Sequence, residues 1–230
     1  MAGLRFWSRT AAGDWEVRLL RPPGPAPAAP VLPSQYFLGL DLAKESDYSA
    51  VALVEGPPRG GDARPHYEVR SLHRWPLGTR YKQVAADVAQ FRTQHALGPD
   101  AALIMDKTGL GQGVYEELQE RWPATSLISV TITGGQEVIT ARWGEYHVPK
   151  VELIGRLLVV LQNERLKIAP GLKTAPQLEA ELQGYQRRVS RAQHEQYGQW
   201  HAGQHDDLVM ALALAVWYAE AHGYTQQHWW

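Results

Sequence analysis

Two apolar runs on either side of a short polar turn, Tyr36 to Leu40 and Ser49 to Val54, constrain this chain more than any other stretch. Each is short and apolar along its length, the pattern of a buried strand, and the few polar residues between them suit a strand that turns back on its neighbour. The first run closes on Asp41. A strand buried in a sheet cannot carry an unpaired charge along its length without a large loss of stability, whereas an acid at its tip can face solvent or a metal ion. Taken alone, Asp41 reads as a cap of the turn, with Asp47 and Ser49 closing it.

Two further acidic sites stand in comparable positions. Ala101-Ala-Leu-Ile-Met-Asp106 is another short apolar run ending on an acid, followed at once by Lys107-Thr-Gly-Leu-Gly-Gln-Gly113. His205-Asp206-Asp207 opens the apolar segment Leu208 to Ala219. Acids at the ends of three apolar elements, far apart in the chain, can meet at one edge of one sheet.

The order of elements around these sites is legible in outline. Arg21 to Pro30 is rich in Pro and Ala, a composition that favours extended backbone and buries no core, so residues 1–34 are expected to form an arm and linker ahead of one domain over 35–225. His66 to Trp75 completes a three-stranded meander, and Val84, Val88 and Phe91 recur at helical spacing over Thr79 to Ala96. A strand to Met105 follows, then a glycine-rich turn matching neither G-x-G-x-x-G nor a P-loop, a helix over Gly113 to Arg121, and a strand from Ser126 to Ile132. Gly134 to His147 is polar and aperiodic, which predicts a mobile loop. Lys150 opens an amphipathic helix whose apolar face is read as Val151, Ile154, Leu157, Leu158 and Leu161. A short strand, Leu166 to Ile168, a helix from Ala175 to Leu182, a basic stretch from Gln186 to Arg191 and the helix after Asp207 complete the order.

Composition excludes several classes of function. With no cysteine there is no disulfide framework, thiolate zinc site or cysteine nucleophile, and a net charge of -1 gives no global basic field. No apolar run approaches the ~20 residues that span a bilayer, so a cytoplasmic protein without a membrane partner is expected. Nine Trp and ten Tyr against three Phe suit core packing or stacking on bases.

The segments Gly39-Leu-Asp41 with Asp47-Tyr-Ser-Ala50, Met105-Asp106 with Thr108-Gly-Leu-Gly111, Val148-Pro-Lys150, and Gly203-Gln-His-Asp-Asp-Leu-Val-Met-Ala-Leu-Ala213 together resemble the nuclease domain of the large terminase subunit of tailed bacteriophages. The resemblance runs from about residue 35 to 220, and its last block is the most specific. It implies an α/β fold of ribonuclease H-like type, a mixed central sheet flanked by helices, whose acidic residues bind divalent metals and cut concatemeric viral DNA during packaging in a bacterial host. By position, Asp41 matches the first-strand acid of the family, Asp106 the second acid, Asp206 and Asp207 the pair on the C-terminal helix, and Asp47 an additional acid of some members. The packaging ATPase of the full family protein is not matched, since no G-x-x-x-x-G-K-[ST] occurs and Gly171-Leu-Lys-Thr174 lacks the upstream glycine. A separate packaging ATPase, a portal or a small terminase subunit is therefore an expected partner, beside double-stranded DNA.

Clustered aspartates without cysteine call for hard, oxygen-preferring ions, so Mg2+ or Mn2+ is expected over zinc. Two such ions ~3.5–4 Å apart can hold a scissile phosphate. Asp41 is then the bridging ligand, Asp106 completes one site and Asp207 the other, with Asp206 assisting. His205 and Lys107 are accessory candidates for phosphate contact or for structural roles. Backbone phosphates need positive charge, for which Arg142, Lys150, Arg187, Arg188 and Arg191 are the candidates, with Trp143 or Tyr146 for stacking. The same acids would serve a Holliday-junction resolvase. An actin-like nucleotide-binding protein would need a second phosphate hairpin, and an inactive DNA-binding remnant would lack cleavage.

Overall fold

The computed structural model describes residues 5–9, 15–19, 33–42, 47–58, 64–108, 112–192 and 205–223, with side chains over 33–42, 47–58, 64–108, 115–184 and 205–223. The chain divides into two compact units, Met1–Leu32 and Pro33–Trp230. In the first, β1 (Arg5–Arg9) and β2 (Trp15–Leu19) pair antiparallel, Trp7 opposite Val17 and Arg9 opposite Trp15. Residues 1–34, expected to form an arm and linker, therefore contain an antiparallel strand pair that their mixed charges and brief alternation did not announce.

The second unit is built on one mixed sheet. Its strands are β3 (Gln35–Asp41), β4 (Ala50–Gly56), β5 (Tyr67–Arg74), β6 (Ala102–Asp106), β7 (Leu127–Thr133), β8 (Ile139–Arg142), β9 (Glu145–Pro149) and β10 (Leu166–Ile168), in the order β10-β5-β4-β3-β6-β7-β9-β8. β3, β4 and β5 form the expected antiparallel meander, and β6 and β7 then add in parallel beside β3. A meander extended by parallel strands on the side of its first member is the ribonuclease H-like arrangement.

Among the described residues, five α-helices cover the sheet: α1 (Tyr81–Gln94), α2 (Gln112–Gln119), α3 (Lys150–Gln162), α4 (Ala175–Ala192) and α5 (Asp207–His222). Strand side chains alternate between faces, and the two cores divide accordingly. Leu38, Leu40, Leu103 and Met105 pack on Val84, Ala85 and Val88 of α1 and Leu118 of α2. Phe37, Ala52, Val54, Ala102 and Ile104 pack on Leu153, Leu157 and Val160 of α3, Leu178 of α4 and nearly the whole of α5. The apolar segment after Asp207 forms α5, where Leu208 to Trp217 is buried on every side because the helix is wedged between the sheet and its neighbouring helices.

Three readings of the sequence need correction. The segment expected to be a mobile loop over 134–147 contains β8 and most of β9, with β9 parallel to β7 and β8 antiparallel at the sheet edge. Every β8 residue is exposed, so this edge strand has no buried face to impose alternation. On α3 the buried residues are Leu153, Ile154, Leu157 and Val160, while Val151 faces solvent. Helix α4 runs ten residues past its expected end at Leu182, to Ala192, since no proline interrupts the Gln- and Arg-rich sequence that follows.

Candidate metal centre at the carboxyl edge of the sheet

The fold brings the chemistry to one edge by direction of strand. β3, β6, β7 and β9 run parallel, so Asp41, Asp106 and Pro149 all lie where strands end. Leu40 pairs with Met105, which makes Asp41 and Asp106 neighbours across β3 and β6. By alternation both side chains continue the rows of Phe37 and Ala102, toward the α5 face. The antiparallel β4 starts at this edge, three residues after Asp47, and β5 ends there on Arg74.

Helix α5 supplies the remaining acids, and Gly39 sets its approach. A Cβ on Gly39 would come 1.8 Å from the carbonyl oxygen of Ala211, so only glycine lets the helix backbone lie directly on the strand. At the other end Gln35 Nε2 donates to the carbonyl of Gly223 at 2.7 Å. These two anchors run α5 antiparallel to β3, which puts its first turn, with Asp207 and the N-cap Asp206, over the Asp41 end of the strand.

The electrostatics follow from this crowding. Burial raises the Asp41 carboxyl well above the usual range, and the charges of Asp106, Asp206 and Asp207 raise it further; Lys150 opposes them. Asp106 is also raised by burial, against hydrogen bonds from Thr108 and the charge of Lys150. Lys150, first residue of α3, ion-pairs Asp206 at 3.0 Å. Asp207 is 2% exposed and ion-pairs Arg74, whose NH2 group also meets Glu181 of α4 at 2.8 Å. The second oxygen of Glu181 accepts the backbone N–H groups of Leu208 and Val209, both at 3.1 Å, and so caps α5 from another helix. Asp47 Oδ1 lies 2.8 Å from His205 Nδ1. Among the described residues, Asp47, His205 and Asp207 each present a ligand atom within 4.8 Å of the others.

Burial pushes Asp207 up to about 6, with Arg74 offsetting part of the rise and Asp47 adding to it. It pushes Glu181 up to about 7, offset by the Val209 N–H and Arg74. Both acids hold protons more tightly in the folded chain than in the unfolded one. Their contribution thus favours folding least above about 7 and most below the unfolded values near 4. Without metal, these two acids should leave the chain less stable at pH 7.5 than at pH 5, a drop that thermal melts in chelator would register. A melting temperature that rises over that interval contradicts the assignment.

The remaining expectations divide. Lys107 pairs with Glu145 at 2.9 Å, and its ammonium lies 4.9 Å from the centre of the Tyr115 ring. Arg142 pairs with the same Glu145 and is exposed. Lys150, read from the sequence as a phosphate contact, is engaged with Asp206. Trp143, 70% exposed, stands at the β8–β9 turn, but Tyr146 is unavailable for stacking on a base: it is buried, its ring 5.5 Å from that of Trp217. Arg187, Arg188 and Arg191 fall within α4, and their side chains lie outside the described residues, as does the glycine turn at 109–111.

No protein-family model and no curated protein sequence matches this chain. Solved structures are similar to it in their chain path. The large terminase nuclease of thermophilic phage G20c is 21% identical, with 84% of this chain and 83% of that one covered and a TM-score of 0.49. The manganese-soaked human cytomegalovirus terminase nuclease domain is 13% identical, covering 80% and 83%, at 0.45. Thermus thermophilus RuvC is 12% identical, covering 81% and 96%, at 0.33. The likeness is one of fold.

Sequence reasoning missed Arg74 and Glu181, though each left a trace. Arg74 falls in the inward row of Leu72 at a strand end, and Glu181 lies one turn from the buried Leu178. A charge on an apolar row implies a buried partner.

Proposed function

We propose that this chain is a metal-dependent DNA endonuclease of the large-terminase type. The observation that carries the reading is the meeting of Asp41, Asp106, Asp206 and Asp207 at the carboxyl edge of a ribonuclease H-like sheet, where burial and mutual repulsion make their joint ionisation costly without a cation. These four carboxylates offer only oxygen donors, and the group of Asp47, His205 and Asp207 beside them adds one nitrogen, which suits Mg2+ or Mn2+. Two such ions would polarise the scissile phosphate and ease ionisation of the attacking water.

The chain's own residues then have separable tasks. Asp41, flanked by Asp106 on the sheet and the acidic pair on α5, would be the ligand that both ions share. Asp106 is held by Thr108, whose N–H donates to Oδ1 at 2.8 Å while its hydroxyl accepts the N–H of Ile132. Asp207 would hold the second ion. Asp206, tied to Lys150, assists from the rim, and His205 lies where it can reach a phosphate or water. Exposed Arg142 and Trp143 at the β8–β9 turn give the DNA backbone and a base something to touch, without base-edge readout. Double-stranded DNA is the proposed substrate, concatemeric viral DNA the proposed setting, and a separate packaging motor the proposed partner.

Plasmid digestion tests the reading. Supercoiled DNA should be nicked and then linearised with Mn2+ or Mg2+ and left intact in chelator. Asp207→Asn should abolish cleavage, whereas Asp206→Asn should slow it about ten- to a hundredfold, the range for an outer-shell partner of a metal ligand. The reverse order exchanges the roles of the two acids, and no cleavage by the wild type with either ion removes the proposal.

A further inference from the structure

Arg74 is an odd component for a metal site. Both of its carboxylate bonds, to Asp207 and to Glu181, leave from the same NH2 group, and its Nε is buried with no hydrogen-bond partner among the described residues. Its guanidinium lies 4.5 Å from the centre of the Tyr48 ring. Glu181 is fixed by two backbone donors of α5, so the Arg74–Glu181 end of this network has a rigid anchor. The Asp207 end is contested, because the same carboxylate also belongs to the group with Asp47 and His205.

We infer that Arg74 is a resident counter-cation of the acidic edge: it holds the Asp207 carboxylate in the absence of metal, releases it to an entering divalent ion, and stays behind on Glu181 and Tyr48. The inference rests on the nuclease reading only in requiring that a divalent ion enter the site.

Three features support exchange over permanent pairing. Arg74 is imperfectly satisfied where it is, so a small rotation that gives Nε a partner recovers part of what leaving Asp207 loses. Glu181 and the Tyr48 ring keep the guanidinium from being stranded in the interior. A divalent ion also carries twice the charge of the guanidinium and gathers several carboxylates at once, whereas Arg74 meets only one acid of the proposed ligand set. Arg74 is in this sense a positioning residue, which presets Asp207 and opposes metal binding by one unit of charge.

Calorimetric titration of the full chain with Mn2+, beside Arg74→Gln and Arg74→Lys, tests this. Removing a positive charge next to the ligands should tighten Mn2+ binding about tenfold in Arg74→Gln, while Arg74→Lys stays near wild type. Weaker or unchanged binding by Arg74→Gln overturns the inference, since a merely structural role predicts loss of affinity as Asp207 loses its alignment. Should Arg74→Gln fail to fold, the guanidinium resonances of Arg74 in the wild type decide: they must shift as Mg2+ saturates the site, and constant signals overturn the exchange. A wild type that binds neither ion at millimolar concentration defeats the metal-dependent reading itself and the inference with it, a result distinct from failure in the variant alone.

Discussion

Asp41→Asn should reduce plasmid cleavage to the level seen in chelator while leaving a folded chain whose metal-free melting temperature is no lower than that of the wild type. Asparagine keeps the size and one oxygen of the side chain but removes the charge that two ions would share. The stability half of the expectation follows from the order of effects on Asp41, where burial is largest, the three neighbouring carboxylates come next and the attraction of Lys150 is last. An ionised group in such surroundings opposes folding near neutral pH, so its neutral isostere relieves the strain. Added Mn2+ should then raise the melting temperature of the wild type more than that of the variant, because an ion that binds only the folded chain stabilises it by mass action. Cleavage by Asp41→Asn at the wild-type rate is the result the two-ion reading could not survive.

Gly39→Ala should be the most damaging single methyl group in the domain. The overlap it creates is with backbone, the Ala211 carbonyl at 1.8 Å, with the Ala215 nitrogen at 2.8 Å, so no rotamer change can relieve it. Either α5 lifts from β3 or the fold is lost, at a cost above about 3 kcal/mol. Where the chain still folds, the first turn of α5 moves away from Asp41, and Mn2+ affinity and cleavage should fall together. Chemical denaturation beside metal titration measures both, and a Gly39→Ala protein of wild-type stability would show that the helix does not press on the strand.

Much of this edge could be read from the chain because strands that end on a charge announce themselves. Asp41 and Asp106 close apolar runs too short to hold a charge inside, and the meander and the parallel strands follow from apolar runs bounded by turns. What could not be read were partnerships between distant elements. That Glu181 caps a helix opening some 25 residues later, through the N–H groups of Leu208 and Val209, follows from how α4 packs on α5 and leaves no local pattern. The β8–β9 hairpin escaped for the opposite reason. An edge strand exposed on all sides has no buried row to betray it, and the one inward aromatic, Tyr146, is indistinguishable in sequence from the outward Trp143.

The place of α5 in the order of synthesis adds a consequence. Sheet strands β3 and β6, with Asp41 and Asp106, leave the ribosome about a hundred residues or more before the helix that carries Asp206 and Asp207, and until that helix docks the apolar row of Phe37, Ala52 and Ile104 lies open. On the proposed nuclease reading, the late arrival would act as a built-in safety catch, since half of the proposed acids are absent while the chain is still being made. It also leaves a vulnerable interval in which a sticky half-sandwich awaits its filling, so truncation within α5 should yield aggregated protein before it yields an inactive one.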